Sequence, residues 1–178
     1  IDLTNHCNQD CYYCISSEFR KNALVHQHYT KFITLLDQLA TWREHTPKSY
    51  GTLQAITFAG GGEPTLLKGY HHVIEHAIDL GFLVSLTTNG TLLDQLYKNV
   101  DNDKLKLLNW IGIDIDSGNP ITYERIRKSF TSGMFDRVVK NATELRARSI
   151  PVDFKLLANE LNTSPEEIDT MFIEARLI

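Results

Sequence analysis

Residues 54–64 read QAITFAGGGEP, an apolar run that stops at three consecutive glycines. A run of this length predicts a buried strand, and the glycines predict a tight turn from that strand into a helix. Four further short apolar runs lie along the chain, at residues 1–4, 82–88, 110–115 and 152–157. Helical patterns alternate with these runs, at residues 29–44, 68–80, 91–99, 120–128 and 135–148, and a further helix opens at Ser164. The alternation predicts an α/β fold in which five parallel strands are covered by outer helices.

The unusual segments of the sequence all follow predicted strands. The cysteines come after the first strand, the glycines after the second, Asn89 after the third and Asp116 after the fourth. In parallel β/α folds, ligands bind beyond the carboxyl ends of the strands, which lie together. The sequence therefore predicts one site that is built from all four segments.

Length and charge exclude several classes of protein. The chain has 178 residues, the size of one domain, and its formal net charge of −4 gives no electrostatic footprint for nucleic acid. No apolar run approaches the roughly 18–20 residues of a membrane-spanning helix, and no signal-peptide pattern opens the chain. We therefore expect neither a nucleic-acid partner nor a membrane. Because residue 1 is not methionine and both ends fall inside predicted elements, we expect residues 1–178 to form one domain that lacks native residues at both termini.

The chain has three cysteines, and all of them lie within CNQDCYYC at residues 7–14. A disulfide framework uses cysteines spread along a secreted chain, so this clustering predicts a metal centre in a reducing, cytoplasmic compartment. Thiolates suit either zinc or an iron–sulfur cluster. A four-iron cluster with three cysteine ligands keeps one iron open for a small molecule. A zinc site requires a fourth ligand, for which His6 is the nearest residue.

The CxxxCxxC spacing, with an aromatic residue before the last cysteine, resembles the signature of the radical S-adenosylmethionine (SAM) superfamily. The resemblance implies a partial (β/α)6 TIM-like barrel, of which this chain contains about five units. It implies that Cys7, Cys11 and Cys14 hold a [4Fe–4S] cluster whose open iron binds the methionyl group of SAM. It also implies that Tyr13 packs near the adenine.

The glycine segment is similar to a second motif of the same superfamily, Gly-Gly-Glu. The similarity implies that Gly61, Gly62 and Glu63 bind the methionyl amino group of SAM. Taken alone, the segment also fits a tight β-to-α turn with a glutamate in the first helical turn. It lacks the GxxxxGK[ST] and GxGxxG patterns of phosphate-binding loops.

Weaker similarities extend the predicted cofactor site along the chain. Thr88 and Asn89 resemble a Thr-Asn-Gly segment that lies under the cofactor in the family, although Asn-Gly also marks a simple turn. Asp114 stands where family members often have a serine that hydrogen-bonds the ribose hydroxyls. Arg127, rather than Arg125, is expected to pair with the cofactor's carboxylate, and a solvated helix face is the alternative.

Other polar residues leave alternatives open. Asp116 either serves the substrate or caps the helix that follows it. Lys155 can point to either face of the sheet. His72 and His76 have the i,i+4 spacing of some zinc sites, but without an intervening HExxH glutamate the surface is the stronger interpretation.

The resemblance implies an enzyme that cleaves SAM reductively to a 5′-deoxyadenosyl radical, which abstracts hydrogen from a substrate. It implies an electron donor such as flavodoxin or ferredoxin. A peptide or protein is the first hypothesis for the substrate, and a small metabolite is the second. A zinc-bound interaction module without catalysis is the contrasting hypothesis, and zinc in place of iron would identify it.

Overall fold

The computed structural model describes residues 1–22 and 27–177, and its centre is a parallel sheet of four strands. The strands are β1 (Ala55–Phe58), β2 (Leu83–Thr88), β3 (Trp110–Asp114) and β4 (Val152–Lys155). They pair in chain order, with Ala55 opposite Leu83, Ser85 opposite Trp110 and Ile111 opposite Val152. Because every pairing is parallel, the carboxyl ends of all four strands lie at one edge of the sheet, as the alternating pattern predicts.

The fifth predicted strand, residues 1–4, contributes only a single bridge. Asp2 pairs in parallel with Ala59, and the Ala59 N–H donates to the Ile1 carbonyl over 3.1 Å. The chain then passes close to Gly62, where the carbonyls of Thr4 and His6 face the glycine, so that no ladder continues. The N-terminal segment thus lies beside β1, and together with the four-stranded sheet it forms a partial, open barrel.

The described residues contain eight α-helices, six of which correspond to patterns in the sequence. They are α1 (Ser17–Asn22), α2 (Tyr29–His45), α3 (Tyr70–Asp79), α4 (Asp94–Asn99), α5 (Asn102–Leu105), α6 (Pro120–Arg127), α7 (Met134–Ala147) and α8 (Pro165–Leu177). Short 3-10 helices occupy Lys48–Tyr50 and Pro64–Leu66. None of the helices in the described residues has the length and apolar character that crossing a membrane demands.

Two of the helices are not predicted from the sequence. Helix α1 follows the cysteines, and α5 lies in residues 98–106. This segment reads KNVDNDKLK, and its density of charges predicts a solvated surface. That prediction is wrong for two of its residues, because Val100 and Leu105 are buried in the core. The charges of the segment remain at the surface, where Lys104 pairs with Asp79 at 2.9 Å.

The strands separate an apolar face from a polar one. Alternate residues point to opposite faces of a strand. One set joins the helix residues in a single core, and its buried members include Ile56, Phe58, Val84, Leu86, Ile111 and Ile113. The other set faces the inside of the partial barrel and contains Thr57, Thr87, Gly112, Asp114 and Lys155. The fold therefore presents polar side chains and small residues to the open interior.

Gly90 and Gly81 form a matched pair for testing the packing behind the sheet edge. Both have left-handed backbone, with φ of 78° and 77°. An added Cβ at Gly90 would lie 2.8 Å from Ile113 and 3.1 Å from Val138, whereas one at Gly81 meets nothing within 4 Å. We expect Gly81→Ala to lower the free energy of unfolding by about 1 kcal/mol through backbone strain. Gly90→Ala adds overpacking and should cost roughly 1–3 kcal/mol more.

Urea unfolding of the two variants measures the difference. Equal losses of stability in the two variants would mean that Ile113 and Val138 can move away from an added Cβ at Gly90, contrary to the close packing seen there.

Candidate functional site

A cavity of about 570 Å³ opens at the carboxyl edge of the sheet. This volume lies within the range of about 300–1,000 Å³ that is typical of small-molecule sites. The cavity is lined by every residue that the sequence predicts for the site: Cys7, Cys11, Tyr13, Cys14, Gly61, Gly62, Glu63, Thr88, Asn89, Asp114 and Arg127. Residues that are distant in sequence and follow different strands therefore meet at one place.

The cysteine loop, residues 5–16, is anchored to the end of α6. The Tyr12 N–H donates to the Ile126 carbonyl over 3.1 Å, and Gln9 forms an antiparallel bridge with Ser129. The Gln9 side chain is buried and donates to the Tyr123 hydroxyl over 2.8 Å. These bonds fix the loop so that its three partly buried thiols line the same cavity.

Burial changes the chemistry of two of these thiols. It raises the pKa of Cys7 to about 11 and also raises the pKa of Cys11, because a thiolate loses hydration there. Within residues 1–22 and 27–177, no three His, Cys, Asp or Glu side chains are grouped as ligands of one metal ion.

The glycine turn, residues 60–63, packs against the start of the chain. A Cβ at Gly62 would lie 2.2 Å from the His6 carbonyl oxygen and 2.5 Å from that of Thr4. Gly60 has a φ of 139°, and its Cβ would collide with the Asp2 side chain. Close approach to the backbone of residues 4–6 thus requires glycine at position 62, whereas glycine at position 60 makes room for the Asp2 side chain and adopts the positive φ. Gly61 is less constrained, since its Cβ would come no nearer than 3.5 Å to any neighbour.

Glu63 joins three segments of the site although its side chain is buried. Its Oε1 accepts hydrogen bonds from the Thr65 N–H, the Thr65 hydroxyl and the Thr88 hydroxyl, over 3.1, 2.5 and 2.6 Å. Its Oε2 accepts from the Asn89 N–H over 2.7 Å. Burial raises the pKa of Glu63, and these donors partly offset that effect. Glu63 also caps the 3-10 helix Pro64–Leu66. It thus has the role in a β-to-α turn that the sequence offered as the alternative to cofactor binding.

The turn after β2 connects the sheet to the cysteine loop. The Asn89 side chain donates to the Asn8 Oδ1 over 2.7 Å and accepts from the Thr91 N–H over 3.0 Å. Asn8 in turn donates to the Thr91 hydroxyl over 2.8 Å. Asn89 therefore forms the turn and lines the cavity at the same time, so its two sequence-based interpretations are compatible.

Asp116 and Arg127 form a buried ion pair beside the thiols. The Arg127 Nη2 lies 2.8 Å from the Asp116 Oδ2, and the two side chains are 5% and 2% exposed. Asp116 also accepts hydrogen bonds from the Tyr13 hydroxyl and the Leu157 N–H. The solvated alternative for Arg127 is wrong, whereas Arg125 is exposed. Asn119, not Asp116, caps α6.

The same ion pair sets the electrostatics next to Cys11. The Arg127 Nη1 lies 3.7 Å from the Cys11 Sγ. Burial is the largest single effect and opposes the charge of Arg127, but Asp116, Cys11, Tyr13 and Asp114 together outweigh it, so the pKa of Arg127 lies above its usual value. Among the described residues, the buried Nε of Arg127 has no hydrogen-bond partner. Arg127 is thus a fixed cation with an unused donor at the edge of the cavity.

Asp114 and Lys155 lie on the inner face of the sheet. They are opposite each other in the β3–β4 register, and the Lys155 Nζ is 3.2 Å from the Asp114 Oδ1. Between the strands, Gly112 leaves room for the Trp110 ring and the Lys155 stem, because a Cβ there would lie 1.8 and 2.8 Å from them. The structure thereby assigns Lys155 to the interior face.

Arg20 is a site residue that the sequence-based predictions miss. It lies in α1, and its Nη1 donates to the Cys14 Sγ over 3.2 Å and to the Gly61 carbonyl over 3.1 Å. The only sequence signal is a short helical pattern, SEFRKN, directly after the cysteines. Outside the site, His76 pairs with Asp37 at 2.6 Å and His72 lies near Glu75, so these histidines belong to the surface.

Asp116 provides a test of the buried ion pair. Its backbone has a φ of 61°, which asparagine also tolerates, so Asp116→Asn removes the charge while keeping the turn. Because Arg127 would remain buried without its counter-ion, we expect the free energy of unfolding to fall by about 3 kcal/mol. The control is Asp103→Asn, which removes an 89% exposed partner of Lys106 and should change stability little.

Chemical denaturation of both variants measures the two effects. A loss for Asp116→Asn as small as that of the control would show that Arg127 is neutralised by other groups.

Comparison with known proteins identifies the family of the chain. The family model of the radical SAM superfamily matches residues 1–172. The S-adenosylmethionine-dependent nucleotide dehydratase of Selenomonas ruminantium is 31% identical over 122 residues, which are 68% of this chain and 40% of that protein. The probable GTP 3′,8-cyclase of Methanocaldococcus jannaschii is 26% identical over 178 residues, with 93% and 52% of the two chains covered.

A solved structure extends the agreement to the fold. Streptococcus suis SuiB bound to its precursor peptide SuiA superposes with a TM-score of 0.70 at 15% identity, over 97% of this chain and 35% of that one. The chain spans about half or less of the length of these relatives. The family match covers nearly all of the chain. The chain belongs to the radical SAM superfamily.

Proposed function

We propose that the protein is a radical SAM enzyme in which Cys7, Cys11 and Cys14 hold a [4Fe–4S] cluster and the adjoining cavity binds SAM. The observation that carries the proposal is the convergence of three thiols, the glycine turn and two arginines on one cavity. When bound, the cluster and SAM supply a 5′-deoxyadenosyl radical that abstracts hydrogen from a substrate. An electron carrier such as flavodoxin or ferredoxin provides the electron.

The residues present fit these cofactors. Three thiols are too few to complete a four-iron cluster, so a ligand position remains for the SAM methionyl group. The cavity volume of about 570 Å³ suits a molecule of that size. The orphaned Nε of Arg127 is a donor for a carboxylate, and the Gly61 backbone borders the cavity next to Glu63.

The chain's own residues bind and orient the cofactor. In this proposal Gly61, Gly62 and Glu63 meet the methionyl amino group, and Arg127 meets its carboxylate. Thr88 and Asn89 would lie beneath the cofactor, and Glu63 holds both of them, through the Thr88 hydroxyl and the Asn89 N–H. Tyr13 packs beside the adenine and is held through its hydroxyl by Asp116.

Asp114 accepts hydrogen bonds from the ribose hydroxyls in this proposal. Its carboxylate is an acceptor on the inner face and is partly neutralised by Lys155. The pair thus places a polar, hydrogen-bonding surface where the ribose and the substrate would approach each other.

Cys11→Ala tests the proposed chemistry. Because the variant loses one of three cluster ligands, we expect it to form no 5′-deoxyadenosine from SAM after anaerobic reconstitution with iron and sulfide and reduction by dithionite. The wild-type protein should form it, and so should Asp103→Asn, whose change lies outside the site. Chromatographic assay of 5′-deoxyadenosine measures the result. Stoichiometric zinc in place of iron in the wild-type protein would contradict the proposal and favour a zinc-bound module.

For the substrate, we favour a small anionic metabolite of the nucleotide type over a peptide. Two relatives, at 31% and 26% identity, are named for nucleotide substrates, whereas the peptide-bound SuiB shares only 15% identity, at which the likeness concerns the fold alone. The inner face offers an aromatic ring, Trp110, and an ammonium, Lys155, next to each other over Gly112. These groups suit the stacking of a base and the neutralisation of a phosphate.

Nucleoside triphosphates should therefore increase the rate of SAM cleavage at least tenfold over the rate without substrate. Lys155→Gln should remove most of this increase, since it loses the cation, and the increase is taken relative to the variant's own rate without substrate because Lys155 also pairs with Asp114. Initial rates of 5′-deoxyadenosine formation with ATP, GTP, CTP and UTP, against a library of short peptides, measure the preference. Stimulation by peptides alone would restore the peptide hypothesis.

A further inference from the structure

Of the two arginines that line the cavity, Arg20 lies closer to a cysteine of the proposed cluster. Its Nη1 is 3.2 Å from the Cys14 Sγ, whereas the corresponding distance from Arg127 to the Cys11 Sγ is 3.7 Å. The side chain of Arg20 is only 11% exposed. A guanidinium this close to a ligand sulfur, with little water around it, acts on that sulfur as a weakly screened charge and as a hydrogen-bond donor.

The position of Arg20 does not depend on the thiol alone. Its Nη1 also donates to the Gly61 carbonyl over 3.1 Å, and its Nη2 donates to the Gln9 carbonyl over 3.5 Å. These backbone acceptors belong to the glycine turn and the cysteine loop, both of which are fixed by other bonds. The guanidinium is therefore held beside Cys14 by the fold.

The charge of Arg20 is poorly balanced by carboxylates. Its ion pair with Asp10 has a separation of 3.7 Å, and the Asp10 side chain is 46% exposed, so water screens that partner. Arg127, in contrast, is neutralised by a buried carboxylate at 2.8 Å. Of the two arginines, Arg20 therefore contributes the larger net positive potential at the thiols.

We propose that Arg20 raises the reduction potential of the iron–sulfur cluster and so sets how readily the cluster accepts its electron. Reduction adds one negative charge to the cluster, and a nearby cation stabilises the reduced form more than the oxidised form. Hydrogen bonds to cysteine sulfur and local charge are recognised controls of cluster potentials. Arg20 touches no atom of SAM or substrate in this role, and it acts on the reaction through the cluster. The inference rests on the proposed function.

The test compares four anaerobically reconstituted proteins: wild type, Arg20→Gln, Arg20→Lys and Arg125→Gln. Arg20→Gln removes the charge and keeps a donor, Arg20→Lys keeps the charge, and Arg125→Gln removes one exposed charge from the helix that carries Arg127. Iron and sulfide content is measured first, followed by a dithionite titration monitored by electron paramagnetic resonance.

In Arg20→Gln we expect the equilibrium constant for one-electron reduction to fall about tenfold, which corresponds to a midpoint potential about 59 mV lower. Arg20→Lys should stay near the wild-type potential, and Arg125→Gln should match it. A wild-type protein that assembles no cluster would overturn the proposed function itself. An Arg20→Gln protein with a full cluster and an unchanged potential would overturn only the role of Arg20.

Two further outcomes also count against the proposal. Loss of the cluster in Arg20→Gln, with retention in Arg20→Lys, would make Arg20 an assembly residue. A lowered potential in Arg20→Lys equal to that in Arg20→Gln would assign the effect to the shape of the guanidinium and not to its charge.

Discussion

The carboxylate of Glu63 is the interaction on which the site depends. It receives four hydrogen bonds from Thr65, Thr88 and Asn89, while the Glu63 backbone N–H donates to the His6 carbonyl over 2.6 Å. The cysteine loop, the glycine turn and the end of β2 thus share one anchor. Burial of a carboxylate is costly, and only such a set of donors makes it tolerable. Because an uncharged amide has a single acceptor oxygen, no neutral side chain of similar shape can satisfy all four donors.

The glycine turn can reach this anchor only because it lacks side chains at two positions. The backbone of residues 4–6 occupies the space of a Cβ at Gly62, and Asp2 occupies that of Gly60. The Asp2 carboxylate also accepts a hydrogen bond from the Gly61 N–H over 2.9 Å. The three glycines therefore have different roles. Gly60 and Gly62 allow the contact between the glycine turn and the start of the chain, and Gly61 is the residue with room beside the cavity.

Much of this structure can be predicted from local sequence patterns, because each of β1 to β4 is a short apolar run and the long helices have clear periodicity. The eleven predicted site residues meet at one cavity because parallel strands bring their carboxyl ends together. Sequence patterns predict the structure wrongly where the pairing of a strand or the burial of a residue depends on contacts between distant parts of the chain. Residues 1–4 are apolar enough for a strand, but the chain leaves the sheet after one bridge in order to meet Gly62. Val100 and Leu105 are too isolated among charges to indicate burial.

The ion pairs and arginine contacts of the site could not be predicted from the sequence for the same reason. Arg127 and Asp116 are recognisable as polar residues, but their pairing follows from the left-handed backbone at Asp116, which turns its carboxylate back towards α6. Lys155 faces inward only because β4 is registered with Lys155 opposite Asp114. Arg20 reaches Cys14 because α1 folds back against the glycine turn.

These arrangements share one physical property: the buried ion pair and the two arginines beside the cavity are held by the protein before any ligand arrives. Arg127 is fixed by Asp116, Asp116 by the Leu157 N–H, and Arg20 by two backbone carbonyls. A preorganised group pays little reorganisation cost when charge changes nearby. A site that must accept an electron beside bound SAM gains from such rigidity, because the stabilising charges need not move when the electron arrives. The buried ion pair and the tightly held arginine therefore belong to the proposed chemistry as much as the cysteines do.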